Sequence, residues 1–220
     1  DTALWRLFEG ARVIDLAQPL ENVLPVSPNH PGFKLALMRR HGDMVREDGG
    51  SAANEMMIMG GHTSTHVDAL CHISQDGKLH GGHDAQEAVR KSRFAVHGVE
   101  TIPLTFCRGL MLDVAGLHGV EVLEPGQPIR PEDLAGCCER QGLEIEPGDA
   151  VLIRSGWPAH WNDPERYLGA RDGVPGPDEA AAEWLASKDI RLTGSETVAY
   201  EWIPPGRGHA QRRRQLQLRG

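Results

Sequence analysis

At 220 residues with a formal net charge of −8, the chain can bury one sizeable core, and its acidity argues against nucleic acid as a partner, because phosphate binding needs a basic face. Hydrophobic residues at 40% and charged residues at 25% give a globular profile and exclude wholesale disorder. No apolar run approaches the roughly 20 residues that span a bilayer, so no membrane partner is expected.

Residues 13–16 read as a short apolar strand closed by Gln18-Pro19. The stretch 21–54 is rich in Pro and Gly, with one strand expected at 33–38. Residues 56–59 form an apolar tetrapeptide before Gly60-Gly61, which predicts a buried strand entering a turn. A helix is expected over 84–92 with Asp84 as its N-cap. Strands follow at 110–114 and 150–154. Between them Pro131-Glu132-Asp133 opens a helix that Gly142 stops. Residues 157–178 read as a long connection rich in Trp, Pro, Gly and Asp. A helix over 178–187 carries Ala181, Trp184 and Leu185 on one face, and a strand is expected at 190–193.

Strands and helices thus alternate in the C-terminal half, which predicts one mixed α/β domain over residues 1–210. Residues 211–220 combine Gln and Arg with only two leucines, and a poorly ordered basic tail is expected there. Cys71, Cys107, Cys137 and Cys138 form no CxxC pair, and the segment 4–8 is too short and too charged for a signal peptide. Both features predict reduced thiols in a cytoplasmic protein.

Five histidines lie between 62 and 83. His62, His66, Asp68 and His72 share one parity, so an extended strand would put them on one face. A straight strand nevertheless rises roughly 3.3 Å per residue and would hold His62 and His66 about 13 Å apart, too far for one ion. A helix would turn Asp68 away from His66. The chain must therefore curl between 62 and 66, where Thr63-Ser64-Thr65 are small enough to allow it, and extend from 66 to 68. Two imidazoles and one carboxylate form an open facial set of the catalytic kind, and His72 stands nearby to move a proton; a polar surface turn is the alternative.

This stretch resembles the H-x-G-T-H-x-D-x-x-x-H motif of the metal-dependent cyclase-like hydrolases, which include bacterial kynurenine formamidase and isatin hydrolase. His62, Thr65, His66, Asp68 and His72 match it, with Ser64 where the family has Gly. Asp15-Leu16, the stretch 76–82, the strand ending in Ser155-Gly156-Trp157 and Gly194-Ser195-Glu196-Thr197 are similar as well, so the likeness covers roughly residues 13–209. It implies a swivelling β/β/α domain with a mixed central sheet, a homodimer, and hydrolysis of a small cyclic or acyclic amide or a lactone, such as isatin or N-formylkynurenine. By the same resemblance His62, His66 and Asp68 hold one divalent ion, Mn or Zn, and His72 is the catalytic proton carrier.

The chain departs from the family pattern after Pro204-Pro205-Gly206, where no counterpart of a second His and Glu is recognisable, so a second ion is not expected. The alternative reading is a metal- or ligand-binding domain without turnover. For contacts to a small-molecule substrate, His80, in a Gly81-Gly82 loop, and His209 are candidates. Trp157, at a strand end, suits either the wall of a site or the core. Glu196 could orient a histidine.

Overall fold

The computed structural model describes Arg6 and residues 8–206. The 211–220 tail and His209 lie outside the described residues. Among the described residues the architecture is mixed α/β, with parallel and antiparallel pairings in separate sheets.

Strands β1 (Lys34–Arg39) and β2 (Asn54–Ile58) pair antiparallel, with Leu35 opposite Met57 and Ala36 opposite Met56. The Asn22 side chain extends this ribbon at its edge. Its Oδ1 accepts from the Leu35 N–H at 2.8 Å and its Nδ2 donates to the Leu35 carbonyl, which satisfies backbone groups a third strand would otherwise take. The expected burial of β2 is overturned: all five of its residues are exposed. A strand in a two-stranded ribbon has no second layer unless something packs on it.

Residues 13–16 form no strand, and Val13 is 92% exposed. The neighbouring backbone bonds go to side chains instead, from the Ala17 N–H to Asp15 and from the Gln18 N–H to Thr65. Asp84 caps its helix as expected, accepting from the N–H groups of Gln86 and Glu87. That helix, α1 (Ala85–Ala88), lasts one turn before the chain reverses through β3 (Val89–Arg90) and β4 (Arg93–Phe94).

The C-terminal half holds the main core. Strand β5 (Gly109–Asp113) is followed by α2 (Val114–Leu117), short β6 (Pro128–Ile129) and α3 (Pro131–Gln141). Next come β7 (Ala150–Arg154), α4 (Pro164–Leu168), β8 (Gly176–Pro177), α5 (Glu179–Ala186) and β9 (Leu192–Ser195). Strands β5, β7 and β9 make a parallel sheet in that order, while β6 pairs with β8. Alternation sends Leu110 and Leu112 of β5, and Val151 and Ile153 of β7, into the interior. Leu134 and Cys137 of α3, three residues apart, meet them from one side of the helix, and Ala181 and Leu185 of α5 join the same cluster. Each large side chain buried this way contributes about 1.5–3 kcal/mol, which the open ribbon at β1–β2 forgoes.

The boundaries of α3 match expectation. Gly142 ends it at φ 64°, a left-handed turn that glycine adopts without strain. Helix α4 was missed inside the 157–178 connection because it spans five residues, too few for a periodic signal. Among the described residues no helix is long and apolar enough to cross a membrane.

Candidate metal centre

The cluster forms where the chain leaves β2. Gly60 lies against Pro31, its N–H donating to the Pro31 carbonyl at 3.3 Å, and residues 61–65 then bend continuously. Ser64 takes φ +60°, the curl that the ligand spacing requires. This left-handed position is the one glycine fills at no steric cost. Ser64 is held there by its hydroxyl, which donates to the Gln18 carbonyl at 3.0 Å, while the Gln18 N–H donates to Thr65 Oγ1. Two hydrogen bonds therefore tie the histidine loop to Gln18.

The three motif histidines converge on the Asp68 carboxylate. His62 Nδ1 lies 2.6 Å and His66 Nε2 3.3 Å from Asp68 Oδ1, and His72 Nε2 lies 4.0 Å from Oδ2. The rings of His62 and His72 stack with centroids 3.7 Å apart, and His66 meets His62 edge-on at 5.2 Å. His62, Asp68 and His72 each offer a donor atom within 4.8 Å of the others. His66 adjoins the group through Asp68. Its Nδ1–H donates to the Ser64 carbonyl at 2.7 Å, which leaves Nε2 facing the carboxylate. A hydrogen bond on the far nitrogen is what fixes the tautomer of a metal-ligating histidine.

The electrostatics follow from this convergence. Burial alone would raise the Asp68 carboxyl; the His66 hydrogen bond and the charges of His72, His62 and His66 instead hold it at about 2. Asp68 in turn raises His66 through that hydrogen bond, against partial burial. Burial lowers His72, with Asp68 opposing and the surrounding imidazoles of His62, His30 and His66 reinforcing the shift. An anion facing several ring nitrogens is neutralised by protons on the rings or by a cation among them. Two donors on one ion at about 2.1 Å each stand no more than about 4.2 Å apart, so the His62, Asp68 and His72 donors, within 4.8 Å of one another, lie close to the spacing an ion needs, while His66 lies outside that group. The histidine side chains are 28–29% exposed and Asp68 52%, so the centre is open on one side to water and small molecules.

One residue was not found by sequence reasoning. His30 lies on the turn 27–31, and its ring centroid is 5.3 Å from that of His62. The only signal was a histidine between Asn29 and Pro31; its approach to position 62 arises from antiparallel pairing of β1 with β2, which no motif reports.

The other candidates fall elsewhere. Trp157 is fully buried with Tyr167, Val174 and Ile203, and its indole N–H donates to the Tyr167 carbonyl, so it serves the core and not the wall of the histidine site. Gly156 at φ 75° sends it inward; a Cβ there would strike the Glu121 carbonyl. His80 packs edge-on against His97, whose Nε2 lies 3.1 Å from the His80 carbonyl oxygen, in a separate histidine group that also includes His83. Among the described residues Glu196 orients no histidine. Its carboxylate accepts from the N–H groups of Ser155 and Gly156, pinning the end of β7.

Comparison with known families supplies the context. A family model described as "Putative cyclase" matches residues 14–202. The chain belongs to the cyclase family. A crystal structure described as a novel cyclase superposes with a TM-score of 0.80 at 24% identity, covering 92% of this chain and 71% of the other. Isatin hydrolase A from Ralstonia solanacearum gives 0.65 at 22% identity, covering 92% and 73%. An isatin hydrolase bound to the product analogue thioisatinate gives 0.65 at 20% identity, covering 96% and 78%. At these identities the likeness establishes the fold. No curated protein sequence matches this cyclase-family chain.

The strained turn yields a stability test. Ser64→Ala keeps the left-handed strain and loses the bond to Gln18, so it should cost about 1 kcal/mol. Ser64→Gly loses the same bond but relieves the strain, and it should melt at or above Ser64→Ala. A Ser64→Gly variant that melts clearly below Ser64→Ala would place residue 64 in an ordinary conformation.

Proposed function

We propose that this cyclase-family protein is a metal-dependent hydrolase of small cyclic or acyclic amides or lactones, of the isatin or N-formylkynurenine kind. The observation that carries the reading is the convergence of His62, His66 and His72 on one carboxylate at an open surface. His62, His66 and Asp68 would hold the ion, Mn or Zn. His66 is assigned there because its Nδ1 bond to Ser64 frees Nε2 toward Asp68. When bound, a divalent ion supplies Lewis-acid polarisation of a carbonyl and a water acidified toward neutral pH.

His72 is assigned the proton. Its Nε2 is 4.0 Å from the nearest Asp68 oxygen, outside hydrogen-bond range, and its ring is held against His62. As the water oxygen bonds to the carbonyl carbon, His72 Nε2 takes the proton released. It returns that proton to the amide nitrogen, or the ester oxygen of a lactone, as the C–N or C–O bond breaks. Ring opening leaves a carboxylate product.

Elemental analysis of protein purified without chelator, with a hydrolysis screen over formamides, isatins and lactones, tests the assignment. The expected content is near one divalent ion per chain, lost in Asp68→Ala and His66→Ala. His72→Ala should keep its ion while the rate falls about 10²–10⁴-fold. Loss of the ion in His72→Ala with retention in His66→Ala would exchange the two roles. No bound ion after incubation with Zn or Mn would favour a binding domain without turnover.

A homodimer is part of the proposal. The β1–β2 ribbon exposes Leu35, Leu37 and Met57 on one face and Met56 and Ile58 on the other. Covering these side chains with a second copy removes apolar surface from water at about 25 cal/mol per Å². Sedimentation equilibrium should give twice the chain mass for the wild type and a monomer for Met57→Glu. A monomeric wild type would remove the dimer. The free cysteines Cys71, Cys107, Cys137 and Cys138 support a cytoplasmic setting.

A further inference from the structure

The turn that carries His30 is built against the metal centre from its own side. Its ends are fixed by the His30 N–H bond to the Ser27 carbonyl at 2.9 Å and by the Gly60 N–H bond to the Pro31 carbonyl at 3.3 Å. Gly60 is two residues before His62, and a Cβ at Gly60 would press on the Pro31 ring, so this approach is close and specific. Phe33, 4% exposed, anchors the chain just beyond the turn. Such a turn holds its histidine at a set place rather than leaving it to sample solvent.

His30 is half-buried, tilted 40° to the His62 ring with centroids 5.3 Å apart. The other three imidazoles face Asp68 within 4.0 Å; His30 belongs to neither the donor group nor any ion pair with that carboxylate. Among the described residues its ring nitrogens have no hydrogen-bond partner, whereas His66 uses both of its own. A half-buried imidazole with an unused N–H beside an open centre offers that donor to whatever binds there. Leaving a partly desolvated donor unused is unfavourable, and a ligand acceptor atom removes that cost.

We propose that His30 is a substrate-binding, specificity-determining residue: its ring N–H donates to an oxygen of the substrate acyl group, and to the carboxylate that this group becomes after ring opening. The proposal rests on the hydrolase reading above and adds to it a preference. Substrates and products that place an anionic or strongly accepting oxygen on the His30 side of the centre are held, and isosteres lacking that oxygen are rejected. The role requires a neutral donor, not a change in the charge of the ring.

The test measures thioisatinate binding by calorimetry, metal content by elemental analysis, and kcat and KM on the best substrate of the screen. The variants are His30→Ala, His30→Phe, which keeps a ring without a donor, and His30→Gln, which keeps a donor. Every variant should hold as much metal as the wild type. Thioisatinate affinity should fall roughly 10- to 100-fold in His30→Ala and His30→Phe, the range for one bond to a charged group, and recover in His30→Gln. KM should rise more than kcat falls. Loss of metal in His30→Phe would make His30 a ligand and overturn the proposal, and so would wild-type affinity in that variant. If the wild type holds its ion but neither binds thioisatinate nor turns over any substrate, the hydrolase reading falls and this role with it. Binding in the wild type with no difference among the variants removes only the role of His30.

Discussion

The structure around the centre depends on one carboxylate. Asp68 draws three imidazoles within 4.0 Å, and no packing term brings histidines together in that way. The carboxyl is held at about 2 by those neighbours, so it is ionised at any pH near neutral. A fixed negative charge ringed by nitrogen donors, and half open to solvent, is a site prepared for a cation.

What holds Asp68 in place is mostly backbone geometry. The left-handed Ser64 turns the chain between His62 and His66, and its hydroxyl and the Thr65 hydroxyl tie the loop to Gln18. The Ser64 carbonyl, pointed by that same turn, takes the His66 Nδ1–H. On the other side the Pro31–Gly60 contact brings His30 alongside. The parallel sheet β5-β7-β9 with α3 and α5 supplies a buried core. The half that carries the histidines has an exposed ribbon and a smaller buried cluster of Cys71, Leu79 and Ala88.

The parts legible in the sequence are those set by local chemistry. Pro131 and Gly142 mark the limits of α3 to the residue, Asp84 announces its cap, and alternation in 150–154 shows β7. The histidine cluster was legible because its four side chains lie within eleven consecutive residues, while which of its histidines group with Asp68 within 4.8 Å of one another, His62 and His72 and not His66, was not. What was not legible depends on distant chain. The 13–16 segment has the composition of a strand and lacks a strand partner among the described residues. Residues 56–59 have the composition of a buried strand and are exposed, with no covering layer among the described residues. Trp157 follows a strand end, as a site residue would, but the positive φ of Gly156 swings it into the core. His30 reaches the centre only through the β1–β2 pairing, a contact across 32 residues of sequence that neither spacing nor periodicity encodes.

The proposed centre holds its divalent ion on Asp68 and its imidazoles, not on the free cysteines. X-ray absorption at the zinc K-edge on zinc-loaded protein reads the donor shell directly. Nitrogen and oxygen donors at about 2.0–2.1 Å with the outer scattering of imidazole rings are expected, and that spectrum should be lost in Asp68→Ala. A sulfur shell at about 2.3 Å, or an unchanged spectrum in Asp68→Ala, would contradict it.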